Sequence, residues 1–600
     1  MAVKPLVMSD SYDEQRFKQF SPASCSNWYP VEAPSGKQQK SLYPVMGRKH
    51  LVNSSNQPFV YDAVPQRIFK SIDFVYVVED NVIYQIDKNF NQIQISQNFT
   101  WDSVNLNFAF LPVVQSSMSL GVYQSVFCAF CTGQTMYIFD ESGITVPAFT
   151  AVTDGNKPKN PLYVAAFGNR FVVSTANSTQ FQLTQVNLGG SYDPNAVFTI
   201  AGSAVFAQES GIIRQIAVLH QQVYFFTDYT TGIWSNTPSV FTSATTTTTF
   251  PWKKNTSYDF DFGIADPNSI DVDFGMMVFL AQNRNGLVTF VSSNGQSITP
   301  ISSQAINVLI QRIANASVTQ SLLQNDVNGF LYQYEDTVFY RASVGAYMDY
   351  QTLDDASFSK TVEYNFNTQT WHLCIELNGQ RNIIEQHEFF NNKHIVIAQD
   401  QTCLYDMSGT YYFNELQAVD SNDNLVVPPS WIAYPFRYEN ITPIISEPDY
   451  SEFITDYVQI DFVWGDHTFS YANPFYANTV FIVSELSTAE IPIYITSEDG
   501  VTFVVQDGTN TPSPLDYGSE TYSSVFKPHI ELYFSDDGGI TFTSADVLEF
   551  SQLGVYSWRM RWYQCGPSRN RVYKLICVSP SPIVILGSVH DIRRSSGGAN

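Results

Sequence analysis

The residue types able to do chemistry are few in this chain, and most are scattered. Seven cysteines and eight histidines are spread over 600 residues, and only Cys128 and Cys131 stand at a chelating interval, in VFCAFC. That run reads as a strand, and side chains three apart on a strand leave opposite faces, so the pair is badly placed to bridge or to clamp an ion. An odd, dispersed set of thiols fits reduced cysteines better than a disulfide framework. Acids gather between Ser235 and Phe274, where Asp259, Asp261, Asp266, Asp271 and Asp273 follow a threonine run (Thr245 to Thr249) and the pair Lys253–Lys254. Calcium loops set carboxylates at fixed short intervals around a glycine. These do not, so the segment reads as a solvated loop. HExxH, GxSxG and Walker patterns are absent, and serine-rich turns make no nucleophile without a base beside them. The expectation is no catalytic residue, no metal and no cofactor.

Two motifs near the C-terminal end are more pointed. Ser535-x-Asp537-x-Gly539-x-Thr541-Phe542 has the spacing of an Asp-box, in which Asp and Gly build a tight turn between two strands. Then Gly554 to Val578 reads as a second hairpin. Its first strand alternates Tyr556, Trp558, Met560 and Trp562 on one face with Ser557, Arg559, Arg561 and Tyr563 on the other. A Gly-Pro turn (Gln564 to Ser568) follows, and Arg569 and Arg571 share a face of the return strand. Four arginines on one hairpin, in a chain with 56 acids against 31 bases, mark Arg559, Arg561, Arg569 and Arg571 as interface candidates. The plainer alternative is an exposed face answering nearby carboxylates.

The elements that position these motifs are β-strands. Hairpin-like units, apolar strand, polar turn and apolar strand, begin at Ser71, Ser125, Leu162, Gln215, Met276, Phe330 and His387. Their spacing of roughly 35 to 60 residues matches four-stranded propeller blades, with each hairpin as the inner pair of strands. The expected fold is all-β: a propeller of about six or seven blades over 56–425, an N-terminal arm over 1–55, and a C-terminal β-sandwich-like domain over 426–600. One helix interrupts it, at about 302–323, with Ser302 or Ser303 as N-cap and Ile306, Leu309, Ile310 and Ile313 at helical spacing. A formal charge of −25 argues against general affinity for phosphate backbones. The start, MAVKPLVMSD, lacks a signal-peptide core, and the apolar runs are too short for a bilayer, so synthesis in a cytoplasm is expected.

An Asp-box invites comparison with propeller sialidases, but there it recurs over several blades as a structural turn. Here one complete copy and a shortened echo, SEDGVTF (Ser497 to Phe503), both lie outside the expected propeller. The chain resembles, from end to end at low similarity, the tail-hub family of short-tailed phages, also called tail accessory factors or packaged-DNA stabilisation proteins. The matching motifs run in order: NWYPVE (Asn27 to Glu32), a Leu-x-x-x-Pro-Gly-like segment in which Met46 intervenes before Gly47, GIADPNSI (Gly263 to Ile270), the hairpin from Val278, ITPISSQAI (Ile298 to Ile306), EYNFNTQTWHL (Glu363 to Leu373), then the Asp-box and arginine segment. About 430–494 match least.

The resemblance implies a structural virion component of the tail: a ring, a homohexamer, below the portal and its adaptor ring. Such a nozzle continues the DNA channel, attaches spike or fibre proteins and holds a needle or plug until ejection. It inserts in no membrane itself, and double-stranded DNA passes through it without sequence-specific binding. The alternatives are a receptor- or glycan-binding propeller and, behind it, a propeller glycosidase.

Overall fold

The computed structural model describes residues 2–594 except 16, 19, 33–39, 81, 96–106, 116–122, 142–148, 169, 185–196, 199–210, 238, 243–246, 256–259, 317–326, 346–358, 418–430, 465–479, 483–492, 497–502, 506–528, 550–556 and 580. Seven antiparallel units follow one another over 65–94, 107–151, 161–183, 215–254, 263–300, 327–374 and 384–408. Each holds one of the seven hairpins read from the sequence.

What joins these units is a series of apolar seams, each between two neighbours. Tyr76, Val78 and Ile83 of the first meet Phe108, Cys128 and Phe130 of the second. Separate clusters bind the second to the third, the third to the fourth, the fourth to the fifth and the fifth to the sixth. Phe330 and Phe339 of the sixth share a core with Ile384 and Val396 of the seventh. Ile68, Val75 and Val77 then meet Ile395, Ile397 and Leu404, which returns the seventh blade to the first. The result is a closed seven-bladed β-propeller. A strand buried on both faces must be apolar on both, which explains near-continuous runs such as VFCAFC. Cys128 and Cys131 in that run point into different seams.

Closure uses the N-terminal segment. Gly47–His50 pairs antiparallel with Leu404–Ser408 as the outer strand of the seventh blade. A Cβ at Gly47 would collide with the carbonyl oxygens of Tyr411 and Phe413, so the close approach requires glycine. Beside it, fully buried Arg48 forms two bonds to Glu376, at 2.7 and 3.2 Å, and a third to the Glu415 carbonyl. Earlier residues join the other body instead. Ala2–Pro5, Trp28–Glu32 and Lys40–Pro44 add to a sheet with Phe453–Trp464, Ser557–Ser568 and Ile583–Arg594. Ser24–Ser26 adds to the opposing sheet, which contains Trp431–Ile441, Val572–Ser579, His529–Ser535 and Thr543–Glu549. Trp28, Tyr438, Ile460, Trp562, Leu575 and Ile585 are among the side chains packed between these two sheets.

Three expectations need correction. The hairpins form the inner pair in four blades, but in the first, second and fifth a further strand or short segment precedes them at the centre. In the first and fifth blades that segment is short or polar (PQRIFK, DVD) and carries little periodic signal, while in the second it is a continuous apolar run, NFAFLPVVQ, with no polar turn to mark it as part of a hairpin. Gly554 to Val578 is not a hairpin: Ser557–Ser568 pairs with Phe453–Trp464, while Val572–Ser579 pairs in the opposing sheet. The chain crosses between the layers, and hydrophobic alternation looks the same for either partner. The helix spans Gln304–Ala316: Ser302 and Ser303 precede it, and 317–323 of the expected span lie outside the described residues.

Its apolar stripe packs between the fifth and sixth blades. Ser303 Oγ accepts from the Ile306 backbone N–H at 3.2 Å, while Ser302 Oγ accepts from Phe290 N–H at 2.8 Å. Ser303 is thus the cap. We expect Ser303→Ala to cost about 1 kcal/mol, read as a lower urea midpoint; an unchanged midpoint would mean the helix is held by its apolar face alone.

Candidate interaction face and axial cavity

The Asp-box folds as a self-contained turn joining His529–Ser535 to Thr543–Glu549. Asp537 accepts from the N–H groups of Ile540 and Thr541 and from the Thr541 hydroxyl, the last at 2.6 Å. Ser535 Oγ donates to Asp537 and accepts from Gly539 N–H at 2.9 Å. Gly538 and Gly539 have φ of 79° and 90°, values that other residues adopt at a cost. Although what burial there is works against it, hydrogen bonding from Ser535 and Thr541 holds the Asp537 carboxyl well below its ordinary range. The turn uses its own polar groups, as a structural corner does. Most of the echo at Ser497 lies outside the described residues.

The four arginines separate. Arg559 and Arg561 project from the outward face of Ser557–Ser568, opposite buried Met560 and Trp562, so the alternation holds where it is described; Tyr556 is not described. Arg559 Nε lies 3.0 Å from Asp461 Oδ1, and Arg561 Nε donates to Gln459 at 2.8 Å with its guanidinium over the Tyr457 ring. Both remain exposed, with Tyr563 beside them. Arg569 sits exposed in the crossing turn.

Arg571 does not belong to this face. It is fully buried, donates to the carbonyls of Cys565, Gly566 and Pro567, lies 2.8 Å from Asp536 Oδ1 and covers the Phe534 ring. A planar fork of five donors is suited to collecting several carbonyls where a chain changes sheets. The sequence placed Arg569 and Arg571 together because two-residue spacing implies a shared face, but the strand is interrupted there.

The acidic segment is only partly a solvated loop. Asp261 and Asp273 are exposed, while Asp259 is not described. Asp266 is fully buried and accepts from Asn268 N–H and, across to the sixth blade, from Val327 N–H. Asp271 likewise accepts from Leu331 N–H at 2.6 Å, and burial pushes its carboxyl up to about 6. Ser269 adds a bond from Leu280 N–H and one from the Tyr340 hydroxyl to its carbonyl. GIADPNSI is thus a fastening between the fifth and sixth blades.

One cluster escaped sequence reasoning. Tyr332, Arg341, Glu363 and His372 come from the four strands of the sixth blade and meet in its interior. Arg341 Nε is 2.5 Å from Glu363 Oε2, the Tyr332 hydroxyl donates to the same oxygen at 2.6 Å, and His372 Nε2 is 2.8 Å from Oε1. Cys374 stands close enough to complete a metal-like trio with Glu363 and His372. The carboxylate is already committed, however. Burial alone would raise Glu363, but Arg341 and the His372 hydrogen bond bring it down to about 2. A metal ion would face the Arg341 cation, and burial keeps the Cys374 thiol protonated.

The propeller axis holds the second site. A cavity of about 190 Å³ is lined by residues of all seven blades, including Arg67, Asn107, Tyr163, Gln215, Asn268, Phe330 and Gln386. Its polar groups hold one another. Asn107 Nδ2 donates to Gln215 Oε1 at 3.2 Å, Gln215 Nε2 to the Pro267 carbonyl at 3.3 Å and Arg67 Nη2 to Asn268 Oδ1 at 2.6 Å. Gln386 donates to the Gln66 carbonyl and accepts from Ile68 N–H. At one margin, burial raises Glu388 to about 8, so that carboxyl is largely protonated at neutral pH. Among the described residues, side chains bonded across the axis leave no passage as wide as a nucleic-acid duplex.

No family model and no curated protein matches the chain. Among solved structures it is similar to the WD40 domain of Neurospora crassa Pan2, at 10% identity and TM-score 0.31, over 57% of this chain and 89% of that one. It is also similar to Kluyveromyces lactis Hsv2, at 9% identity and TM-score 0.25, over 58% and 96%. A puromycin hydrolase is matched at 8% identity and TM-score 0.34, over 67% and 62%. These likenesses lend the chain no activity.

Proposed function

We propose that the protein is a structural virion component, a tail hub or nozzle that works as a ring of identical copies below the portal and adaptor of a short-tailed phage. The observation that carries this reading is the outer strand of the sandwich. Among the described residues Ser557–Ser568 pairs along one side only. On a chain of formal charge −25 it presents Arg559, Arg561 and Tyr563, with Arg569 at its end. A cyclic ring joins one patch to a different patch on the next copy. A cationic strand edge has abundant carboxylates to meet on such a neighbour, through bidentate pairing that lysine could not reproduce. The hydrogen-bonded side chains that cross the propeller axis add to the reading, because the DNA channel then runs between copies and not through one of them. Acidic walls facing that channel repel phosphate and let the duplex slide.

In this reading six copies surround the channel, the adaptor ring seats them, and spike or fibre and needle or plug proteins attach to them. Catalysis has no part in it. The Arg559→Ala/Arg561→Ala double variant is expected to keep its melting temperature within a few degrees, since exposed pairs are worth about 0–1 kcal/mol each. Ring formation on a portal–adaptor complex, counted by electron microscopy, is expected to fall at least about tenfold. Undiminished rings, or undiminished infectivity when the variant complements a deletion, would remove the arginine face from the assembly.

A further inference from the structure

The axial cavity has features that a purely structural seal does not need. Asn107, Gln215, Asn268 and Gln386 come from four different blades, and each is oriented by a hydrogen bond to a neighbour. A carboxamide has two donors and two acceptor lone pairs. Among the described residues these four leave part of that capacity unspent: the Asn107 carbonyl, the Asn268 amino group and one N–H on each glutamine have no protein partner. Phe69 and Phe330 supply apolar surface beside them. Fixed polar groups set beside aromatic surface in a concave site are a composition that small-molecule sites use.

The charges narrow the class of ligand. Arg67 is bonded to Asn268 and feels the charges of Asp266 and Glu385, Asp271 accepts two backbone N–H groups, and burial favours the uncharged form of Glu388. An anion or cation entering the cavity would surrender its hydration without meeting an uncommitted opposite charge. Amides, which donate and accept at once, match hydroxyl groups, which do the same. A volume of about 190 Å³ compares with the cavity of roughly 150 Å³ that takes one benzene ring. That volume is matched by one six-membered ring.

We infer that the axial cavity binds a single neutral polyhydroxylated ring, a monosaccharide or cyclitol, through the amides of Asn107, Gln215, Asn268 and Gln386. This site is independent of the arginine face and of ring assembly.

The test uses the full chain with glucose, galactose, mannose and myo-inositol as probes, and glucuronate and glucosamine as charged counterparts. Saturation-transfer NMR and titration calorimetry are expected to show binding of at least one neutral probe, with its charged counterpart at least about tenfold weaker. Asn107→Leu, with an unchanged melting curve, is expected to lower that affinity by about tenfold, as loss of one buried hydrogen bond does. Should that variant not fold, a crystal of the unaltered protein soaked in the bound probe is expected to show it on the axis. No neutral probe binding, equal binding of the charged forms, unchanged affinity in the folded variant, or a probe seated elsewhere would each overturn the inference.

Discussion

Glu363→Gln is expected to lower the stability of the propeller by about 3–5 kcal/mol, the range for breaking a buried ion pair from one side. The glutamine has nearly the shape of the glutamate, so packing is conserved and the loss reports charge. Arg341, 1% exposed, keeps its guanidinium without a counter-ion, and Tyr332 and His372 lose a charged acceptor. The pH dependence follows from the carboxyl's folded value of about 2 against its ordinary 4.5. A depressed acid contributes stability that is present above the ordinary value and lost as pH falls from about 4.5 toward 2. Urea unfolding of the native chain should therefore weaken through that window, and the variant should show a shallower decline. Equal midpoints at pH 7, or parallel profiles in acid, would show that the network is not holding the blade.

Arg571→Ala is expected to have an effect of similar size in the other body. The side chain is completely buried, and its loss strands three carbonyls at the point where the chain leaves one sheet for the other. Each buried acceptor left without a partner costs about 1–3 kcal/mol, and the Phe534 ring loses its cover. Lysine is expected to restore little, because one ammonium cannot reach three carbonyls in the plane that the guanidinium spans. Hydrogen exchange should locate the damage. Val572–Ser579 and His529–Ser535 should lose protection, while the blades between 65 and 300 keep theirs. Uniform loss over both bodies would mean they unfold as one unit. No loss would mean the crossing is secured by the strands alone.

The contrast between Arg571 and Arg559 shows what was legible and what was not. Local periodicity carries which face a side chain takes within a strand, and it placed Met560 and Trp562 inside and Arg559 and Arg561 outside. It also carried all seven hairpins, the helix stripe and the Asp-box turn, since each is decided by residues close together in the chain. Partners distant in sequence leave no such trace. Nothing near Gly47 announces that it closes a blade begun at Ile384, and nothing near Asp266 announces the Val327 N–H it caps. Arg571 differs from its exposed neighbours only through a crossing decided by strand partners remote in the chain, Phe453–Trp464 for the strand before it and Trp431–Ile441 for the strand after it. The axial cavity was hidden for the same reason, because its amides are ordinary polar residues until seven blades bring them to one axis.

The central claim is that copies of this chain form a ring around a passage the single chain lacks. The most direct measurement is electron microscopy, with native mass spectrometry, of the purified protein added to a portal–adaptor complex. The account predicts six copies seated as a ring on the adaptor, with a central opening wide enough for a duplex and lined by more than one copy. A chain that stays monomeric and fails to bind the complex, or a complex whose channel runs along a single propeller axis, would contradict it.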